Sequence, residues 1–250
     1  MTTRSLGLLL AGPLLLLAAC SGGQNAGITD AKPVEVQFRV VAEGPVESHN
    51  TDTEPPKNTT SSAVSKDSVY EKVGVELAKR AEALAEPVTE PRQIEEFEPF
   101  AELSPGEVAM LPATMQVLVP TIGCAQIDVA LAGDGADTKE IAACGRGDTK
   151  YALGPSELDS SGIASAKVNS DASQDGKHVV SVTFTKSATK DWEQLTADNV
   201  DRQVAIVVDG AVVSAPTIAA AITGSTVEIS GDFSKADAEE LAAQINAGAG

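Results

Sequence analysis

The chain has few aromatic residues and few positive charges for its 250 residues. Phe, Tyr and Trp together make up 3% of the sequence, and 18 Lys and Arg residues stand against 36 Asp and Glu residues, a formal net charge of -18. Nucleic-acid binding requires a basic surface, and an anionic bilayer surface repels a chain of this charge. The composition therefore argues against nucleic acid as a partner.

Apolar runs are also short. The longest, Leu6 to Leu17, is interrupted by Gly and Pro and is too short for a membrane-spanning helix. It leads into Leu17-Ala18-Ala19-Cys20, which resembles the lipobox of bacterial lipoprotein signal peptides. We expect residues 1–20 to be such a signal peptide and a lipid on Cys20 to anchor the chain to the extracytoplasmic face of the cell membrane. The alternative is an ordinary secretory signal peptide with an incidental cysteine.

Catalytic motifs are missing and histidine is scarce. The sequence has two histidines and no GxSxG, HExxH or GxxxxGK[ST] segment, so a base-activated nucleophile has few candidates. Asp209 and Ser214 are the most suggestive pair, but a tight turn and a strand end explain them equally well. We expect a protein that is not an enzyme and that has no metal site and no cofactor.

Cysteine is rare as well, with three residues. Once Cys20 is assigned to the lipid, Cys124 and Cys144 remain as an even pair in an exported chain, which predicts a disulfide. A metal or redox site is the alternative, and it has less support because the spacing is not CxxC and neither histidine lies in a ligand cluster.

The most informative stretch runs from Gln203 to Gly248 and reads as strand, turn, strand, strand and helix. Its β-branched first run is typical of a strand buried on both faces, Asp209-Gly210 favours a tight hairpin, and Pro216 ends the second strand. The predicted elements are strands over Val204–Val208, Ala211–Ala215 and Thr226–Ser230, and a helix capped by Ser234 that ends at Gly248.

Upstream patterns are weaker. Strict alternation predicts a half-buried strand within residues 34–42, with Val34, Val36, Phe38 and Val40 on one face, after a flexible tether over residues 21–33. Residues 43–99 read as an acidic, low-complexity insertion that is mobile up to Lys66 and contains one helix over 69–86.

Residues 100–250 are expected to form the main domain. Its predicted elements are a short helix after Ser104-Pro105, a strand over Met115–Val119, a strand over Val179–Thr185 and a helix over Ser187–Asn199 with Trp192 in the core.

The order AIVVDGxVVSAP, ITG, ISG and DFSxxxAxxLAxxINAG resembles the head part of the first extracytoplasmic domain of SecD, a membrane subunit of the bacterial protein-export machinery. The family motif is carried by Asp209, Gly210, Ser214, Ala215, Pro216, Ile222, Gly224, Ile229, Gly231, Ala238, Leu241 and Gly248. Residues 34–40 are similar to the family's opening strand. The resemblance implies an α+β fold with a mostly antiparallel sheet of about five or six strands and two main helices on one face.

The same resemblance implies a head that receives or holds polypeptide from the export channel, with translocating polypeptide or Sec channel components as partners. SecD also has transmembrane helices, a base part and proton coupling. This chain ends at Gly250, where the family continues, so we expect a passive binding module that acts by edge-strand addition or through a hydrophobic groove. Two alternatives stay open: a ligand- or peptide-binding envelope lipoprotein, and a structural cell-envelope protein.

Overall fold

The computed structural model describes residues 31–48, 64–128, 136–171 and 177–249, which form a mixed α+β fold. The predicted signal peptide with Cys20, and most of the tether, lie outside these ranges. The strands are β1 Val36–Glu47, β2 Ile141–Gly145, β3 Thr149–Asp159, β4 Ile163–Asp171, β5 Lys177–Phe184, β6 Val204–Val208, β7 Ala211–Ser214 and β8 Thr226–Phe233. The helices are α1 Lys66–Val73, α2 Val75–Glu82, α3 Pro91–Glu96, α4 Pro105–Val108, α5 Ala113–Leu118, α6 Lys186–Asp198 and α7 Lys235–Gly248.

The strands form two sheets rather than the single sheet that the sequence predicts. One closes into a barrel in the order β1-β3-β2-β7-β6, and the other has three strands in the order β4-β5-β8. Neighbouring strands are antiparallel except for β2 and β7, which are parallel. The α+β class and the mostly antiparallel pairing are confirmed. The barrel closes because β1 pairs with both β3 and β6, and local sequence patterns do not encode such pairings.

Strand β1 shows how alternation builds two layers. Val36 and Phe38 face a core shared with α6 and α7, as predicted. The intervening Gln37 and Arg39 are buried too, at 7% and 0% exposure, so the expected half-buried strand is buried on both sides. Since α6 and α7 lie outside the barrel, the Gln37 and Arg39 side chains face its interior. The strand also continues to Glu47, which corrects the predicted mobile segment over residues 43–47. Most of the rest of that segment, residues 49–63, lies outside the described ranges.

The β6–β7 hairpin follows its prediction closely. Along β6, Val204 and Ile206 belong to the core shared with α6 and α7, whereas Ala205 and Val207 belong to the apolar cluster inside the barrel. Asp209 and Gly210 have φ values of 45° and 80°, the positive values that a two-residue hairpin turn requires. Strand β7 ends one residue earlier than predicted, at Ser214, before Pro216.

Helices α6 and α7 are confirmed, as is the predicted cap of α7 at Ser234. Thr185 Oγ1 accepts a hydrogen bond from the Ala188 amide at the start of α6, and Ser234 forms a capping box with Asp237 at the start of α7. The single tryptophan, Trp192, is 2% exposed and is therefore a core residue, as predicted.

Gly248 has a different role from the one expected. The sequence places it just after the last helical residue, but α7 includes it. A Cβ at this position would lie 3.0 Å from the Val34 carbonyl oxygen, so the glycine permits a close approach between α7 and the segment before β1.

Residues 64–128 form a helical unit with an apolar cluster of its own. Its buried residues extend from Val69 to Ile122, so the predicted division at residue 100 does not separate two packed units. The single helix predicted over 69–86 is wrong: α1 and α2 are separated by Gly74, whose φ is 97°.

The strand predicted over Met115–Val119 is also wrong, because these residues belong largely to helix α5. Residues Met115, Val117 and Leu118 are all at most 3% exposed. A short, mostly apolar run lacks the periodicity that separates a buried strand from a buried helix, and here a helix begins after Pro112 at the N-cap.

A disulfide, a buried lysine and an apolar cluster shared by α5, β1, β2 and β3 join the helical unit to the barrel. A disulfide connects Cys124 to Cys144 on β2, with Cα atoms 5.9 Å apart. Lys150 on β3 donates from Nζ to the carbonyl oxygens of Val119 and Ile122 at 2.8 and 2.9 Å, just beyond α5. No carboxylate forms an ion pair with Lys150 within the described ranges, and burial lowers the pKa of Lys150 to about 7.

We expect Lys150 to make stability rise with pH. Lysine in an unfolded chain titrates near pH 10.4, so between about pH 7 and pH 9 the unfolded state binds more protons than the folded state. The free energy of unfolding should then increase by on the order of 1 kcal/mol per pH unit, as measured by urea denaturation. Lys150→Met should lose this increase, whereas Lys190→Met on the exposed face of α6 should keep it. If the free energy of unfolding of Lys150→Met rose with pH as steeply as that of the unchanged chain, Lys150 would not be the group responsible.

Candidate functional site

A cavity of about 560 Å³ opens beside the barrel at the turn between β6 and β7. It brings together three features that are far apart in sequence: the first strand, the disulfide and the hairpin turn. The lining residues are Glu35, Gln37, Arg39, Ile127, Asp128, Ala136, Asp137, Cys144, Asp209, Gly210 and Ala211. Their chemistry makes this cavity the candidate functional site.

Arg39 forms the buried wall of the cavity through a set of hydrogen bonds. Its Nε donates to Gln37 Oε1 at 2.6 Å. Its Nη1 donates to the carbonyl oxygens of Gly154 and Lys139 at 2.8 and 3.2 Å, and its Nη2 donates to that of Ala136 at 3.0 Å. The planar guanidinium presents five donors in a fixed geometry, so this one side chain connects β1 with β3 and with the segment before β2.

Two carboxylates offset part of the cost of burying this charge. Asp137 Oδ1 lies 3.6 Å from Arg39 Nη2 and accepts a hydrogen bond of 2.6 Å from Gln37 Nε2, which also donates to Glu35. Burial lowers the pKa of Arg39, and the charges of Asp137 and Glu35 act in the opposite direction. The arginine stays protonated, because its ordinary pKa is far above neutrality.

Asp209 has a structural role at the rim. Its Oδ1 accepts from the Glu35 amide at 2.9 Å, and its own amide donates to the Glu35 carbonyl at 2.9 Å. These reciprocal bonds hold the hairpin turn against the chain entering β1. They account for the aspartate without any catalytic step.

The rim of the cavity is acidic. Glu35, Asp128, Asp137 and Asp209 supply four carboxylates, and Arg39 supplies one buried positive charge that is already hydrogen-bonded. This arrangement favours a cationic group, such as a lysine or arginine side chain, over an anion. Within the described residues, no group of three or more His, Cys, Asp or Glu side chains is arranged to hold a metal ion.

The other motif residues do not reach the cavity. Ser214 pairs with Ile206 across the hairpin, and the Pro216 carbonyl accepts from the Val204 amide at 3.1 Å. Gly224 has a φ of 127°. A Cβ on Gly231 would lie 3.0 Å from the Phe233 ring. Backbone geometry and packing therefore account for Gly224 and Gly231, and Ser214 and Pro216 take part in the backbone pairing of the hairpin.

Comparison with known proteins points to one family. Residues 139–249 match the model of the SecDF P1 head subdomain. Protein translocase subunit SecDF of Thermus thermophilus is 40% identical over 96 residues, which is 38% of this chain and 13% of that protein. Protein translocase subunit SecD of Streptomyces coelicolor is 33% identical over 130 residues, which is 48% of this chain and 23% of that protein.

The C-terminal region of this chain resembles the SecD head subdomain. The matched SecD proteins are much longer, since this chain spans less than a quarter of the two named relatives. A solved structure described as SecDF, a translocon-associated membrane protein, from Thermus thermophilus has a TM-score of 0.34 at 23% identity, covering 87% of this chain and 20% of that chain. None of the helices in the described part of this SecD-like chain is long and apolar enough to span a membrane.

Sequence reasoning identified only part of the site. It selected Asp209, Gly210 and Cys144, but it missed Gln37, Arg39 and Asp137. The signal for Arg39 was present, because a charged residue between two apolar residues that pack on a core outside the barrel is either exposed or inside a closed barrel. Only the closure of the barrel distinguishes these two outcomes.

Proposed function

We propose that the chain is a lipoprotein anchored through Cys20 to the extracytoplasmic face of the cell membrane, where its SecD-like head binds translocating or unfolded polypeptide without catalysis. The match of residues 139–249 to the SecDF head subdomain carries this proposal. The lipobox at Leu17 to Cys20 supports the anchor. Sec channel components are the partners that fit this placement.

The cavity is the proposed contact site for the polypeptide. The motif turn at Asp209 and Gly210 lines it, beside the buried hydrogen-bond network of Arg39. The four carboxylates of the rim favour segments that carry lysine or arginine. A passive site of this kind needs no catalytic group, because it only has to slow the backward movement of a bound segment.

Site-specific photocrosslinking in cells tests this proposal. A photoreactive amino acid at the exposed rim position Ala211 should crosslink to an exported polypeptide stalled in the channel. The matched position Lys190, exposed on α6 and not part of the cavity lining, should give several-fold less product. A stalled polypeptide whose lysines and arginines near the exit point are replaced by glutamine should crosslink more weakly at Ala211. Equal yields at the two positions, or none at either, would contradict the proposal.

The cavity also favours a second candidate function. Its volume of about 560 Å³ falls within the range of small-molecule sites, and its acidic rim would suit a small cationic ligand. A defined small molecule that copurifies with the chain and is released on denaturation would support this candidate in place of polypeptide binding.

A further inference from the structure

Strand β4 is an outer strand of the three-stranded sheet, and a side chain occupies part of its free edge. The Ala166 amide donates to Asn246 Oδ1 at 2.7 Å, and Asn246 Nδ2 donates to the Ala166 carbonyl oxygen at 2.9 Å. Asn246 belongs to the last turn of α7. Its carboxamide therefore bonds to the edge as a peptide group of a neighbouring strand would.

This pair of bonds shows which residues of β4 direct their backbone amide and carbonyl groups away from β5. Both polar groups of Ala166 point away from β5, and in an antiparallel ladder the direction alternates from residue to residue. The register between β4 and β5 is regular from Ser165 to Asp171. The amide and carbonyl of Val168 must then point outward as well. Among the described residues, none outside the sheet forms a hydrogen bond with the Val168 backbone.

We propose that an extended polypeptide segment adds to the edge of β4 at Ala166 and Val168 as a fourth strand, displacing Asn246. This inference rests on the proposed function and assigns a second surface to it, separate from the cavity. The occupant is an extended backbone, because only a strand repeats donor and acceptor groups at the spacing of Ala166 and Val168. Asn246 shows that the edge accepts a peptide-like group at the first of these positions.

The outer face of the sheet is compatible with such a partner. The β4 residues Ser165, Lys167 and Asn169 lie on the face opposite the apolar core, next to Ser181 and Thr183 of β5. These side chains are mostly small and uncharged. Recognition would therefore depend on the backbone of the added segment rather than on its side chains, which suits a site for polypeptides of many sequences.

Binding of a fluorescein-labelled decapeptide of alternating threonine and valine to the full chain tests the edge. Val168→Pro removes the outward amide while the ladder to β5 stays intact, because proline is tolerated where its nitrogen faces away from the sheet. We expect Val168→Pro to weaken binding of the decapeptide about tenfold. Val168→Ala changes the side chain and keeps the amide, so it should bind within about twofold of the unchanged chain. Thermal unfolding of both variants shows that they fold.

Two further comparisons test the role of Asn246 and of the peptide backbone. Asn246→Ala should bind the decapeptide several-fold more tightly, because the competing carboxamide is gone. A decapeptide N-methylated at every residue should lose binding to the unchanged chain, because neither of its edges can then donate a hydrogen bond. Equal affinities of Val168→Pro and Val168→Ala would overturn the edge assignment, and an unchanged affinity of Asn246→Ala would overturn the displacement of Asn246. Failure of the unchanged chain to bind both the decapeptide and an unfolded protein would instead overturn the proposed function.

Discussion

Replacement of Arg39 by methionine is expected to lower the free energy of unfolding by about 3–5 kcal/mol. Arg39 is 0% exposed, and its guanidinium donates to the side chain of Gln37 and to three carbonyl oxygens. Methionine fills much of the same volume but donates no hydrogen bond. It therefore leaves the Gln37 side-chain oxygen and three carbonyl oxygens without this donor. Urea denaturation at constant pH measures the loss.

Two variants distinguish the hydrogen-bond network from simple loss of charge. Arg39→Lys keeps the charge but has fewer donors in a different geometry. Its free energy of unfolding should therefore lie between that of Arg39→Met and that of the unchanged chain. Arg80→Met removes an exposed arginine that pairs with Glu96 and should change stability by less than about 1 kcal/mol. If Arg39→Met were as stable as Arg80→Met, the network would not hold the barrel together. Amide exchange of residues 136–139 should accelerate in Arg39→Met, since the carbonyls of Ala136 and Lys139 lose their donor.

Replacement of Phe38 by alanine should have an effect of similar size, about 3–5 kcal/mol. Phe38 is 0% exposed, and its ring contacts those of Phe184 and Trp192 with centroids 5.2 and 5.5 Å apart. These three side chains connect the barrel, the three-stranded sheet and α6. Alanine would leave a cavity at this junction that rigid neighbours cannot fill. Fluorescence of Trp192, the sole tryptophan, reports unfolding directly.

Phe233→Ala serves as the matched control. Phe233 is only partly buried and packs at the margin of the same core, beneath the guanidinium of Arg146 at 5.2 Å. Removal of its ring opens the site to water and leaves no closed void. The decrease in the free energy of unfolding should therefore be clearly smaller than for Phe38→Ala. A Phe38→Ala variant no less stable than Phe233→Ala would mean that the aromatic junction does not organise the fold.

Elements with strong local signals were predictable from the sequence. The hairpin from Val204 to Ser214 was predicted to within a residue, because a β-branched run, an Asp-Gly turn and a following proline all favour the same structure. Helix α6 was predicted from its apolar spacing, and helix α7 from an apolar spacing that agrees with its cap at Ser234. The misassigned Met115–Val119 segment has neither alternation nor helical periodicity, so its neighbours determined its conformation.

The candidate site was predictable only in part, because it depends on contacts between distant segments. The turn at Asp209 follows from its dipeptide alone. The burial of Arg39 does not, because the same alternation occurs in a strand with one face in water. Its donors find acceptors only when β1 lies beside β3 and residues 136–139 cover the barrel end.

The sequence by itself determined the α+β class, the turn and cap positions, and the resemblance to the SecD head, since each depends on residues that are close together in the chain. The tertiary structure alone decided that the strands divide into a barrel and a separate sheet, that Arg39 and Lys150 are buried, and that Asn246 lies on the edge of β4. Those outcomes depend on which strands pair, and strand pairing is a competition among distant segments for the same hydrogen bonds and the same core.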